Sequence, residues 1–523
     1  MASSRVTHVA DSTSQLLASY EALPYEGDAI PATNPDSVAA MARLRGLHPP
    51  DVAHSSVLDL GCSTGGNIIS MALVLPESTF VGVDLSPSHI QSARRTAAAL
   101  GLSNVRFEAL SITDVSEHLG SFDYIISHGV YSWVPPQVQR ALLRVCKRNL
   151  APNGIAYVSY NTYPGWNLRG IIREMLLLHD RPELSATERV TRGRELVQFM
   201  ATTIPDSERI YSALLREEFA LLSGLRDSYF LHEELEAENR PVYFREFIAR
   251  ANEEGLRYIS EAAPSSWDVQ LTNEIRARMR SWAKDDVSYE QYLDFLRGRS
   301  FRRTLLCHDG VHVDEEVSPE PIKAMYLSAR SRNEKAGPGE PPGSELFRTP
   351  DGVAVTMNHP VVIAALHALV DARPTRLSFF DLLDQTRARL AGRNGEITPD
   401  LLADMMLRCA LVTLIKLHTV PAACATTLSE RPRVSELARL QVSHGEYVTS
   451  LTNQNLELDA VARLVVANAD GTCSHDDFVR LCRAALARGE LNSKGKSPPA
   501  SEQLPAAVSA AIEHLFVGGL FVG

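Results

Sequence analysis

Residues 57–67 read VLDLGCSTGGN, an apolar run that ends on a carboxylate, Asp59, and passes through Gly61, Gly65 and Gly66 before a helix opens at about Asn67. Gly61 and Gly65 let the backbone approach a ligand where a Cβ would collide, and the first amides of the helix face whatever binds there. A dinucleotide-binding turn would read GxGxxG, but here Ser63 replaces the middle glycine and an acid leads. The next apolar run, VGVDLS, ends on a second carboxylate, Asp84. Asp59 can attract an ammonium group and would repel a pyrophosphate, while Asp84 can accept both hydroxyls of a ribose. An amino acid at one end and a nucleoside at the other outline S-adenosyl-L-methionine as the cofactor. Cys62, Ser63, Asn67 and Leu85 border the same two turns and are expected to line it. Ser111 and Ile112, after the run NVRFEAL, are expected against the adenine, with Asp114 a second candidate for its amino group.

Methyl transfer from a sulfonium is an in-line displacement, so the protein mainly has to align acceptor, methyl and sulfur and exclude water. An amine acceptor adds one demand. A lysine with a free pKa near 10.4 is neutral in only about one molecule in a thousand at pH 7, and making it neutral costs roughly 4 kcal/mol. Desolvation among aromatic rings beside a positive sulfonium shifts that balance. Tyr131 and Trp133 follow the fourth apolar run, FDYIISHG, and Tyr160, Tyr163 and Trp166 end or follow the fifth, GIAYVSYN. In open α/β sheets the strand ends form the site, so these five rings are the expected acceptor wall, each able to attract a cation by about 0.5 to 2 kcal/mol. The competing reading for each ring is core packing. Tyr20 and Tyr25 stand before the core and are expected to close over the cofactor as a lid. His128 could line the cofactor or act as a base toward an oxygen acceptor; as a lone histidine at a strand end it could equally be a structural hydrogen-bonding residue.

These residues need a scaffold that brings strand ends together. From Ser56 to Asn161 short β-branched runs alternate with helical stretches, the signature of βαβ units, and the runs are apolar on both faces as in a covered parallel sheet. The pattern predicts an α/β fold with a Rossmann-like, seven-stranded class I methyltransferase core over residues 1–165, including the lid. Residues 166–240 turn helical and form an insertion. Tyr258–Ala262 and Arg303–His308 supply the last two strands, so residues 241–333 make a middle or regulatory segment that completes the sheet. Glu334–Glu345 (EKAGPGEPPGSE) reads as a loop or linker with a domain boundary near it. Residues 346–523 form a mainly helical C-terminal domain, with helices at His359–Asp371, Ser378–Leu390, Pro399–Lys416 and Asp459–Ala467.

A chain of 523 residues exceeds one hydrophobic core, so two to four domains are expected. The net charge of -11 argues against nucleic acid and suits a basic acceptor such as a lysine-containing polypeptide. Seven scattered cysteines without CxxC spacing indicate neither a disulfide framework nor a metal site. The polar start and the lack of a long apolar run predict a cytoplasmic protein with no membrane span.

Several segments add a specific likeness. YEALPYEGDAIPATNPDSVAAMARLRGL, HGVYSWVPP, YNTYPGW, YFLHEELEAENRPVYFREFIARANEEGLRYISEA and RSFRRTLLCH together cover most of residues 19–308. They resemble the bacterial protein lysine methyltransferase family that carries a methyltransferase regulatory domain, best known from rickettsial enzymes that modify outer-membrane protein. The resemblance implies a cofactor core, a helical insertion used for homodimerisation, a regulatory segment and a C-terminal domain, with His232 and Glu233 matching a family motif. It implies an S-adenosyl-L-methionine-dependent methyltransferase acting on the side-chain amine of lysine in a protein. The alternative is a small-molecule N- or O-methyltransferase with His128 as base.

Overall fold

The computed structural model describes residues 27–205, 207–263, 271–335, 337, 339–391, 396–491 and 498–523. Tyr20 and Tyr25, expected as a lid, lie outside the described residues. The first helix, α1 (Pro35–Arg43), starts where Asn34 accepts the Asp36 N–H and Pro35 fills the first turn. Next come β1 (Ser56–Leu60), α2 (Gly66–Val74), β2 (Thr79–Asp84), α3 (Pro87–Ala99), β3 (Val105–Ala109), β4 (Phe122–Ser127), α4 (Pro136–Asn149) and β5 (Leu150–Asn161). These strands lie parallel in the order β3-β2-β1-β4-β5, with β6 (Leu256–Glu261) and β7 (Phe301–His308) added antiparallel beyond β5. The result is the seven-stranded Rossmann-like core, with both late strands where the sequence put them.

Alternate residues explain the two covered faces. Val57, Phe80, Tyr124 and Tyr157 face α1 and α2 in one buried cluster, whereas Leu58, Val81, Ile125 and Val158 face α4 and Phe247 in another. Between β5 and β6 the chain makes α5 (Gly165–His179), α6 (Ala186–Thr203), α7 (Arg209–Ser223), α8 (Asp227–Glu234) and α9 (Phe244–Glu253). The four helices α5–α8 share their own small core around Leu176, Val197, Leu215 and Phe230. Between β6 and β7, α10 (Asn273–Trp282) and α11 (Asp286–Arg297) cover the sheet edge. There the fully buried Arg302 takes Asp294 in a two-pronged grip at 2.8 and 2.9 Å and reaches Glu261 at 2.7 Å.

The 334–345 segment expected as a loop is bounded by strands that pair with each other, Arg332–Lys335 against Glu345–Arg348, with Ala354–Met357 as a third strand. The chain therefore doubles back within a small sheet at this point. The C-terminal region is mainly helical, and helices stand at Pro360–Asp371, Phe379–Arg389, Pro399–Leu411 and Ala460–Asn468. The expected helix to Lys416 stops at Leu411, because Ile415–His418 pairs with Tyr326–Ala329 as a strand. Two further helices, His475–Ala487 and Leu504–Val517, build a separate core around Val465, Phe478 and Leu515. Asp36 on α1 fastens the C-terminal region to the core by accepting from Arg376 and His418 Nδ1, at 2.9 and 2.7 Å. Among the described residues no helix is long and apolar enough to cross a membrane.

Candidate functional site

The carboxyl ends of β1, β2, β4 and β5 converge on the glycine turn. Gly61 and Gly65 both have positive φ, 82° and 80°, the left-handed region that glycine adopts without penalty. Each is also crowded: a Cβ on Gly61 would strike Val130, and one on Gly65 would meet Phe107. Ser63 holds φ 50°, and its N–H donates to Asp84 Oδ2 at 2.8 Å, so the two predicted turns are tied together. Asp84 Oδ1 accepts the Ser86 N–H at 2.9 Å, and the His89 ring lies 3.7 Å away. The acid keeps some exposure, which leaves lone pairs for a ligand's hydroxyls.

Asp59 is buried at the end of β1, and that burial pushes its carboxyl up to about 7, opposed by a hydrogen bond with Asn67 and aided by the Asp84 charge. A buried acid without a cation is the expected partner of a ligand ammonium. Ser63 Oγ is buried and has no hydrogen-bond partner, a second unfilled position in the same turn. The pair of acids, the unfilled hydroxyl and the crowded glycines fit S-adenosyl-L-methionine, which supplies a methyl on sulfur when bound.

Other cofactor candidates are placed differently. The Cys62 thiol lies beneath the turn against Gly82, and burial pushes it well above its ordinary range, so its side chain packs rather than faces the ligand. The Asn67 amide links Asp59 to the N-terminal segment, also accepting from Ile30 N–H at 2.9 Å and donating to Thr33 Oγ1 at 3.0 Å. Gly27 closes on the same helix start, where a Cβ on Gly66 would run into its carbonyl. Leu85 is half-buried beyond Asp84, Ile112 is buried, and Ser111 caps a short turn by accepting from Thr113 N–H at 3.3 Å. Asp114 is exposed.

The five expected acceptor rings divide. Tyr131 and Tyr160 are fully buried and pack on Phe247, Tyr160 stacked at 4.0 Å and Tyr131 edge-on at 5.1 Å. Tyr160 also shares a hydrogen bond with Thr304 Oγ1 at 3.0 Å. Both belong to the core under the sheet, so the packing reading holds for them. Trp133 and Trp166 meet edge to face at 6.5 Å across the ends of β4 and β5. Arg169 lies over the Trp166 ring at 4.8 Å and bridges Glu234 at 2.9 Å. Tyr163 is half-buried against Tyr243 at 5.2 Å. Trp133 and Trp166 are themselves buried, 5% and 3% exposed, but follow the strand ends rather than lying within the sheet, and Tyr163 is half-buried. Arg169, Glu218 and Glu234 were not foreseen, since they lie on three different helices; the EE pair of YFLHEEL was their one visible signal.

His128 is stacked on Tyr157 at 5.9 Å and bonded to its hydroxyl through Nδ1 at 2.9 Å. Burial, with Arg303 adding to it, pushes the imidazole down to about 3, so it is neutral at working pH and a weak base. In a methylation assay, His128→Ala is expected to leave the pH dependence of rate unchanged between about pH 5 and 8. A lost titration step near neutrality would restore the base role.

Residues 51–194 match a family described as a methyltransferase domain, residues 226–308 a predicted methyltransferase regulatory domain, and residues 430–518 the C-terminal winged helix domain of PKMT. A protein of Rickettsia prowazekii is 31% identical over 488 residues, covering 90% of this chain and 87% of its own length. A shorter protein of the same organism is 39% identical over 241 residues, 46% of this chain and 96% of its own. The solved structure of PKMT2 from Rickettsia typhi in complex with AdoHcy superposes with a TM-score of 0.84 at 28% identity, covering 96% of this chain and all of that one. The chain is an S-adenosyl-L-methionine-dependent methyltransferase and belongs to the bacterial protein lysine methyltransferase family that carries a methyltransferase regulatory domain.

Proposed function

We propose that the acceptor is the side-chain amine of lysine in a protein substrate. The observation that carries this reading is the pair Trp133 and Trp166, which meet edge to face just after the ends of β4 and β5. A neutral oxygen acceptor offers no cation for aromatic faces to hold. A lysine instead needs desolvation and cation-stabilising faces, which two indoles provide. In this reading Asp59 and Asp84 hold the two ends of the donor, the turn through Gly61 and Ser63 fixes its direction, and the tryptophans exclude water from the transferring methyl. The likeness to the PKMT winged helix family and to PKMT2 of Rickettsia typhi supports a protein substrate. Incubation with labelled S-adenosyl-L-methionine and a cell lysate, followed by peptide mass spectrometry, is expected to place label on lysine; label confined to small metabolites would support the alternative.

The helical insertion also supports a homodimer. Leu178 is 90% exposed, Ile210 89% and Phe199 60%, on three neighbouring helices of one bundle. Large apolar side chains left in water in this way are the kind that a partner surface covers. Light scattering is expected to give about twice the chain mass for the wild type and a monomer for Leu178→Glu with Ile210→Glu. A wild-type monomer would remove the dimer.

A further inference from the structure

Contacts run from the glycine turn to α8 on one side and from α5 to the tryptophans on the other, and one acid on α8 has no assigned work. Gly27 rests on Gly66, and the adjacent Asp28 pairs with Arg226 and shares a hydrogen bond with Tyr229 on α8. One helical turn further along α8, Glu233 faces both Tyr229 and Arg169 electrostatically. Arg169 lies over Trp166, Trp166 meets Trp133, and Val130, just before that turn, closes on Gly61. Glu233 thus lies on the Tyr229 face of α8, next to Glu234, whose carboxylate holds the Arg169 that lies over Trp166.

The acids near Arg169 are not equivalent. Glu234 is buried and holds Arg169 at 2.9 Å, and Glu218 on α7 approaches the same guanidinium at 3.8 Å. Those two acids already share the one cation. Glu233 is half-buried and has neither a hydrogen bond nor an ion pair among the described residues. Burial, with Glu234 adding and Arg169 opposing, pushes its carboxyl up to about 7. On the tryptophan side, the Trp166 indole N–H is buried with no acceptor, a donor suited to a backbone carbonyl of a polypeptide.

We propose that Glu233 is the acceptor-site acid that receives the primary ammonium of a lysine side chain and takes its proton before methyl transfer. The inference rests on the lysine reading above. The ammonium proton passes to a Glu233 carboxylate oxygen, leaving a lone pair on nitrogen. That pair forms the new N–C bond while the C–S bond of the sulfonium breaks, its electrons staying on sulfur. S-adenosylhomocysteine leaves, and Glu233 returns the proton to water. A group titrating near 7 is matched to this exchange, since it is ionised in a large fraction of molecules and still basic enough to take a proton.

The probe is n-butylammonium, the head of a lysine side chain, titrated calorimetrically into the full-length protein saturated with S-adenosylhomocysteine. Glu233→Gln is expected to weaken its binding by about tenfold or more, and Glu233→Asp by less, with S-adenosylhomocysteine affinity equal in all three proteins. In the lysate assay, the Glu233→Gln defect in lysine labelling is expected to shrink as pH approaches 10, where the amine is increasingly neutral without help. Equal n-butylammonium affinity in wild type and Glu233→Gln, no binding by the wild type, or a defect independent of pH would overturn the proposal. Absence of lysine label in the wild type would instead strike the lysine reading, which the n-butylammonium titration does not share.

Discussion

Arg302→Ala is expected to lower stability to unfolding by about 3 to 5 kcal/mol, because it leaves buried acids without their cation. The guanidinium is fully buried, gripped by Asp294, bonded to Glu261 and placed over the Phe244 ring at 3.7 Å. It joins α11 to β6 and β7, the antiparallel edge of the sheet. Burial alone would raise Glu261, but Arg302 and Arg299, with the Arg303 N–H, more than offset it and hold its carboxyl below the ordinary range. A depressed folded pKa adds stability that is present above the unfolded value and lost as pH falls through the folded one. Glu261 therefore contributes stability that is lost as pH drops below the ordinary glutamate pKa of 4.5, and the alanine variant should lack that part; Asp294, which burial pushes up to about 6 despite the same guanidinium, contributes in the opposite sense, gaining as pH falls through 6. Thermal melts from pH 7 to 3 measure both; equal melting temperatures at pH 7 would show that the cluster contributes nothing.

Asp84→Ala is expected to weaken cofactor binding by about 1.5 to 3 kcal/mol, roughly ten- to 150-fold in Kd. Two losses combine in that number. The ribose would lose a charged acceptor, and the Ser63 N–H would lose the 2.8 Å bond that holds the turn in its left-handed conformation. Asp84→Asn keeps one acceptor oxygen and should fall between. Unchanged affinity by calorimetry would reject the ribose assignment.

Much of this site could be read from the chain because its first half is local. Asp59 and Asp84 each end an apolar run, and the glycines between them admit few uses, so the turn and its ligand class follow from spacing. The acceptor side was harder. In a sheet covered on both faces every strand residue is apolar, so pattern does not say which ring points into the core. Tyr160 and Trp166 looked alike, yet Tyr160 lies within β5 and stacks on Phe247, whereas Trp166 follows the strand and opens α5.

Arg169 and Glu234 stand 65 residues apart, on helices whose packing no local signal specifies. In the C-terminal region the helix at His475–Ala487 carried a legible start, a capping box between Ser474 and Asp477, that the reading of apolar periodicity passed over. The 334–345 loop was recognised by its Pro and Gly, but its flanking strands are short and half-exposed, which leaves too little apolar alternation to mark them.

In the proposed site two acids one βα unit apart hold the two ends of the donor and aim its sulfur at the tryptophans. A crystal structure of the full chain soaked with S-adenosylhomocysteine tests it most directly. Ribose hydroxyls are expected on Asp84, the amino group at Asp59 and the sulfur facing Trp133 and Trp166. A ligand seated away from the Gly61 turn, or with its sulfur turned from the indoles, would contradict it.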